Sequence, residues 1–169
     1  MNTKNNIILI GMPGCGKSTV GVLLAKTLLK AFCDTDLIIQ QQEGKELYKI
    51  IAEVGSEEFS AIENRIVSNI SCKNTVIATG GSVVFGEEAM KNLKAQGTVV
   101  YIKLPYQTIK RRLYNIKTRG IVMAPGQTLK SIYDQRTPLY EKYADVTVEC
   151  VGSTLEQTVE HVIDALNNN

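Results

Sequence analysis

The chain has 169 residues, 44% of them hydrophobic and 21% charged, which suits one globular domain with a core of its own. Nineteen basic against 17 acidic residues leave a net charge of +2, so bulk charge argues against a nucleic-acid or membrane surface. The first apolar run, Ile7 to Ile10, is too short for a signal segment or a membrane span, and a cytoplasmic protein with neither kind of partner is expected.

In chain order the pattern alternates strand and helix, which predicts an α/β fold with a parallel sheet and helices on both faces. Residues 6–10 read as a buried strand, and 17–29 as a helix with Val20, Leu23, Leu24, Thr27 and Leu28 on one face. A short second strand, 31–33, ends at Asp34, and helices follow over 36–42, 46–53 and 56–69. Strands are predicted over 75–78, 98–103 and 146–149, with helices over 87–95, 106–114 and 129–143. Thr154 caps the last helix, and Gln157 three residues on completes a capping box. Residues 115–128 are polar, carry Gly120, Pro125 and Gly126, and form a long loop expected to serve as a lid. His161, alone in the last helix, is assigned a surface or structural role. Cys15, Cys33, Cys72 and Cys150 show no metal-ligand spacing and read as free thiols.

Gly11-Met12-Pro13-Gly14-Cys15-Gly16-Lys17-Ser18 fits the phosphate-loop pattern G-x-x-x-x-G-K-S/T, between a buried strand and an amphipathic helix. Glycines let backbone N–H groups face a phosphate, and the helix N-terminus adds a favourable dipole. Gly14, Cys15, Gly16, Lys17, Ser18 and Thr19 are therefore expected to hold ATP, with Lys17 on the β- and γ-phosphates and Ser18 on Mg²⁺. Cys15 is taken as a passive filler, and Lys17 is expected to face solvent when no nucleotide is bound.

Asp34 and Asp36 follow the second strand, at the edge where parallel sheets bind ligands. One could serve magnesium and the other could orient or deprotonate an acceptor hydroxyl; a helix cap at Asp36 and a turn at Asp34 remain the alternative. Gly80 and Gly81 follow the third strand, where they allow close approach to a ligand or merely form a tight turn. Arg112, Arg119 and Arg136 cluster around the long loop, where an arginine can neutralise charge on a transferring phosphoryl group while water is excluded. Together these features predict phosphoryl transfer from Mg-ATP to a small hydroxylated molecule.

GMPGCGKST at 11–19, FCDTD at 32–36, VIATGGS at 76–82, Arg119, and QRTPLYEKYAD at 135–145 together resemble the shikimate kinase family over nearly the whole chain. The resemblance implies a three-layer P-loop kinase fold: a five-stranded parallel sheet of order 2-3-1-4-5 with helices on both faces. It further implies one domain over 1–169, a helical acceptor-binding region over about 37–65, and a lid over about 115–128. It implies that the substrate is shikimate; a monomer is expected. Carried over, Asp34 joins Ser18 at the metal, Asp36 holds the acceptor hydroxyls and acts as base, and Gly80 and Gly81 line the acceptor site. Arg119 reaches the phosphates, Arg136 binds the acceptor carboxylate, and Arg112 lies against adenine. The chain departs from the family at Ser60, where a carboxylate-binding arginine is usual, at Ser82, where a third glycine is usual, and at Gly120, where proline is usual. Ser60 and Ser82 leave open a same-fold kinase of another small hydroxylated metabolite.

Overall fold

Five short apolar runs form one parallel sheet in the computed structural model, which describes residues 5–114 and 120–169. The strands are β1 (Asn6–Ile10), β2 (Ala31–Asp34), β3 (Thr75–Ala78), β4 (Gly97–Lys103) and β5 (Val146–Glu149), in the order β2-β3-β1-β4-β5. All neighbouring pairs are parallel, with Ile8 opposite both Ile77 and Val99. A central parallel strand is covered on both faces, which is why β1 is apolar without alternation. Ile8, Leu9, Ile77 and Val99 are fully buried, each contributing about 1.5–3 kcal/mol by the removal of apolar surface from water.

The connecting helices are α1 (Lys17–Thr27), α2 (Thr35–Glu43), α3 (Leu47–Val67), α4 (Glu87–Gln96), α5 (Tyr106–Arg112), α6 (Leu129–Tyr143) and α7 (Leu155–Asn167). Helix α1 packs against β3 and α7, and α3 packs against α2 and α4. The two helices expected over 46–53 and 56–69 are the two halves of α3, broken at Gly55, whose φ of 83° and ψ of 171° lie outside the helical region. Helix α1 stops two residues before its predicted end because Leu29 turns left-handed at φ 53°. The Thr154–Gln157 capping box forms as expected, and Thr128 and Ser131 make a second one at α6 that the sequence pattern did not single out.

Two apolar clusters result. The larger surrounds the sheet. The smaller joins Ile39 of α2 and Ile50, Phe59, Ile62 and Ile66 of α3 to Val122. All three strand ends that matter for chemistry, those of β1, β2 and β3, therefore open on one edge, as a parallel sheet requires. His161 is exposed on α7. Among the described residues no helix is long and apolar enough to cross a membrane.

Candidate active site

The turn from β1 into α1 wraps tightly because Gly14 and Gly16 adopt φ values of 78° and 98°. Lys17, the first residue of α1, differs from expectation. It is buried rather than solvent-facing, and its Nζ donates to the carbonyls of Gly11 (2.7 Å) and Met12 (3.0 Å). A buried ammonium needs partners, and the loop's own carbonyls supply them. Cys15 is buried in the main core beneath the loop, and its N–H donates to the Met12 carbonyl at 3.1 Å.

Ser18 Oγ donates to Asp34 Oδ2 at 2.7 Å, tying the phosphate loop to the end of β2. The other Asp34 oxygen accepts from the Asp36 N–H at 2.9 Å, so Asp34 is the N-cap of α2 and Asp36 sits in its first turn. The capping alternative thus falls on Asp34 rather than Asp36.

A cleft of about 370 Å³ opens at this edge. Its walls bring together Lys17, Ser18, Asp36, Gly80, Gly81 and Arg136; Gly14, Gly16 and Thr19 of the loop also line it. Asp34, Cys15 and Arg112 are not among its walls, although the exposed Arg112 donates to the Gly14 carbonyl at 3.2 Å. Arg119 lies outside the described residues. Arg136 is only 2% exposed; one of its nitrogens donates to the Val122 carbonyl, its guanidinium stacks 5.5 Å from the Phe85 ring centre, and its Nε has no hydrogen-bond partner. An unpartnered buried donor at a cleft wall is suited to an anionic ligand.

Behind Gly80 stand two carboxylates. A Cβ at Gly80 would meet Glu63 Oε1 at 2.7 Å and Asp36 Oδ1 at 2.8 Å, so only glycine fits without moving them. Glu63 is buried, and its other oxygen accepts from Ser82 Oγ at 2.5 Å. Tyr140, also buried, donates to the Gly81 carbonyl and fixes the next residue of the same wall. Sequence reasoning gave Tyr140 no site role and singled out Ser82 only as a departure from the expected glycine. Glu63 carried a faint signal as a charged residue within the apolar stripe of α3, between Ile62 and Ile66.

Burial pushes the Glu63 carboxyl up to about 7 against the Ser82 hydrogen bond, with Asp36 adding repulsion and Arg136 and Lys17 opposing it. Burial and the charge of Asp34 raise Asp36 to about 6, against Lys17. A carboxyl whose folded pKa lies above its unfolded value binds its proton more tightly when folded. The stability that Glu63 contributes is complete below the ordinary glutamate value of 4.5 and declines as pH rises through about 7. Glu63→Gln should therefore raise the melting temperature by several degrees relative to wild type at pH 8 and by much less at pH 5, measured by thermal unfolding across pH. An equal change at both pH values would show that Glu63 carries the same charge in the folded and unfolded chain.

The family model for shikimate kinase matches residues 13–167. A shikimate kinase of Thermodesulfovibrio yellowstonii is 37% identical over 161 residues, covering 94% of this chain and 92% of the relative. A solved shikimate kinase of Acinetobacter baumannii, in complex with shikimate, is similar at a TM-score of 0.89 and 30% identity, over 99% of this chain and 95% of that one. The Aquifex aeolicus shikimate kinase structure is similar at a TM-score of 0.82 and 33% identity, over 97% of each chain.

Proposed function

Because this chain belongs to the shikimate kinase family, we infer that it transfers the γ-phosphoryl group of ATP to a hydroxyl of shikimate, giving shikimate 3-phosphate in aromatic amino-acid biosynthesis. The observation that carries the reading is the single cleft in which a phosphate loop faces a carboxylate, a glycine wall and a buried arginine with a free donor. The alternative of a different hydroxylated acceptor is not favoured by these relatives.

Roles follow from position and chemistry. The loop from Gly14 to Thr19 cradles the ATP phosphates, and Lys17 Nζ exchanges loop carbonyls for phosphate oxygens. Ser18 and Asp34 fit Mg²⁺, since a hydroxyl and a carboxylate, both hard oxygen donors, meet there at 2.7 Å. When bound, the ion neutralises charge on the β- and γ-phosphates. Asp36 accepts the proton of the attacking hydroxyl, and its raised pKa suits a base near neutrality. Gly80 and Gly81 lie against the acceptor, and Arg136 Nε takes its carboxylate. Arg112 lies close enough to the loop to stack on adenine, and Arg119 would reach the phosphates from a lid over about 115–128. In this reading the helical region over about 37–65 forms the acceptor side, one chain supplies the whole site, and a cytoplasmic monomer suffices.

ADP release measured with shikimate against other small hydroxy acids and polyols tests the reading. Turnover with shikimate well above the others is expected; equal or absent turnover with shikimate would overturn it. Gly80→Ala should raise the shikimate KM at least about 10-fold with the ATP KM within about twofold, because its methyl displaces Asp36 and Glu63 while the phosphate loop is untouched. Steady-state kinetics with each substrate varied checks this, and an unchanged shikimate KM would remove Gly80 from the acceptor wall.

A further inference from the structure

Glu63 Oε1 and Arg136 Nε are the buried side-chain polar atoms without a hydrogen bond among the described residues, and both belong to the acceptor half of the site. Arg136 has a direct use there. Glu63 does not line the cleft but stands immediately behind Gly80. The charged groups that face it are Asp36 from α2, Arg136 from α6 and Lys17 from α1. On its own helix, one turn earlier, stands the uncharged Ser60. Ser82 Oγ, 4% exposed, supplies the hydrogen bond that anchors its carboxyl.

We propose that Ser82 is a positioning residue for the acceptor: its hydroxyl holds the Glu63 carboxyl against the back of Gly80, and through it keeps Asp36 aimed at the acceptor hydroxyl. The inference rests on the reading of the cleft as a shikimate site. Two carboxylates crowd the same point beside the Gly80 Cα, and like charges at that range push apart unless something fixes them. Asp36 has a short side chain on the first turn of α2, whose backbone is pinned by the Asp34 cap. Glu63 is longer and has more freedom, so its tether decides where both settle. Ser82 sits at the start of the 3₁₀ turn Val83–Phe85, whose backbone bonds, from Val83 to Gly80 and from Phe85 to Ser82, fix its hydroxyl relative to Gly80. A side chain at position 82 is therefore part of the wall, and its hydroxyl does for Glu63 what a cation at position 60 would do from the preceding turn of α3.

Position 60 supplies the test. An arginine there is an i, i+3 neighbour of Glu63 and offers it a second tether. Steady-state kinetics and shikimate titration with ADP present are compared for wild type, Ser82→Ala, Ser60→Arg and the double variant. Ser82→Ala is expected to raise the shikimate KM and Kd about 10-fold and to lower kcat at least as much, because a displaced Asp36 loses both its hydrogen bond to the hydroxyl and its place as base, with the ATP KM within about twofold. Ser60→Arg alone should tighten shikimate about 5- to 30-fold. In the Ser60→Arg background the effect of Ser82→Ala should shrink to about threefold or less, since the tether is supplied twice. Ser82→Cys, of similar size but a weaker donor, should fall between wild type and Ser82→Ala, and it carries the comparison if Ser82→Ala does not fold. An unchanged shikimate KM in Ser82→Ala, an equal loss toward both substrates, or an undiminished effect in the double variant overturns the inference and leaves the functional reading standing. Failure of the wild type to phosphorylate shikimate overturns the functional reading, and this inference with it.

Discussion

Lys17→Ala reduces turnover at least 100-fold and also lowers the melting temperature. The first effect follows from the loss of the one cation in the phosphate loop, since contacts to charge developing in a transition state contribute several kcal/mol. The second follows from the burial of Lys17. Its Nζ satisfies the Gly11 and Met12 carbonyls, and truncation strips both of a charge-assisted partner, at a cost of about 1–3 kcal/mol. ADP release and thermal unfolding on the same preparation separate the two. A variant keeping more than about a tenth of the wild-type rate would remove Lys17 from the transferring phosphate. An unchanged melting temperature would mean that the loop carbonyls find water as readily as they found the ammonium.

Asp36→Asn is expected to lower kcat by about 10²- to 10⁴-fold, the range of a general base, with a smaller change in shikimate Kd. Asparagine keeps the shape and accepts a hydrogen bond from the acceptor hydroxyl, but it takes no proton. The carboxyl it replaces is held up to about 6 by burial and by Asp34, so it is basic enough to accept a proton yet still ionised at neutral pH. The folded chain also loses a group that resists ionisation, so Asp36→Asn should be at least as stable as wild type above pH 7. Single-turnover rates and shikimate binding decide the point. A fall in kcat of less than about tenfold would make Asp36 a ground-state ligand for the hydroxyl and leave the proton to solvent or phosphate.

The phosphate loop, the end of β2 and the two glycines after β3 were legible in the sequence because each is a local signal. A turn type, a strand terminus or a helix start is written in consecutive residues, and the parallel sheet then carries all three to one edge. The break in α3 was legible too, because Gly55 marks it. Contacts between side chains distant in sequence were not legible. Ser82 and Glu63 are 19 residues apart on different elements, and their hydrogen bond depends on how α3 packs against the 3₁₀ turn. Ser82 read only as a departure from the expected glycine. The burial of Lys17 escaped for a different reason: its partners, though close in sequence, are main-chain carbonyls whose direction no residue type encodes. The cap at Asp34 rather than Asp36 was a matter of two residues, within the usual uncertainty of helix starts.

The small apolar cluster between α2, α3 and Val122 is separate from the core around the sheet. Helix α2 and most of α3 therefore share a small apolar cluster of their own, while Val67 at the end of α3 belongs to the core around the sheet, so α3 joins the two. Val122 binds this cluster to the rest in two ways at once, through its side chain in the cluster and through its carbonyl on Arg136. A ligand that grips Arg136 thus acts on the far side of the same residue that seals the cluster. Substitutions that thin those six side chains are therefore expected to weaken the binding of such a ligand without touching it.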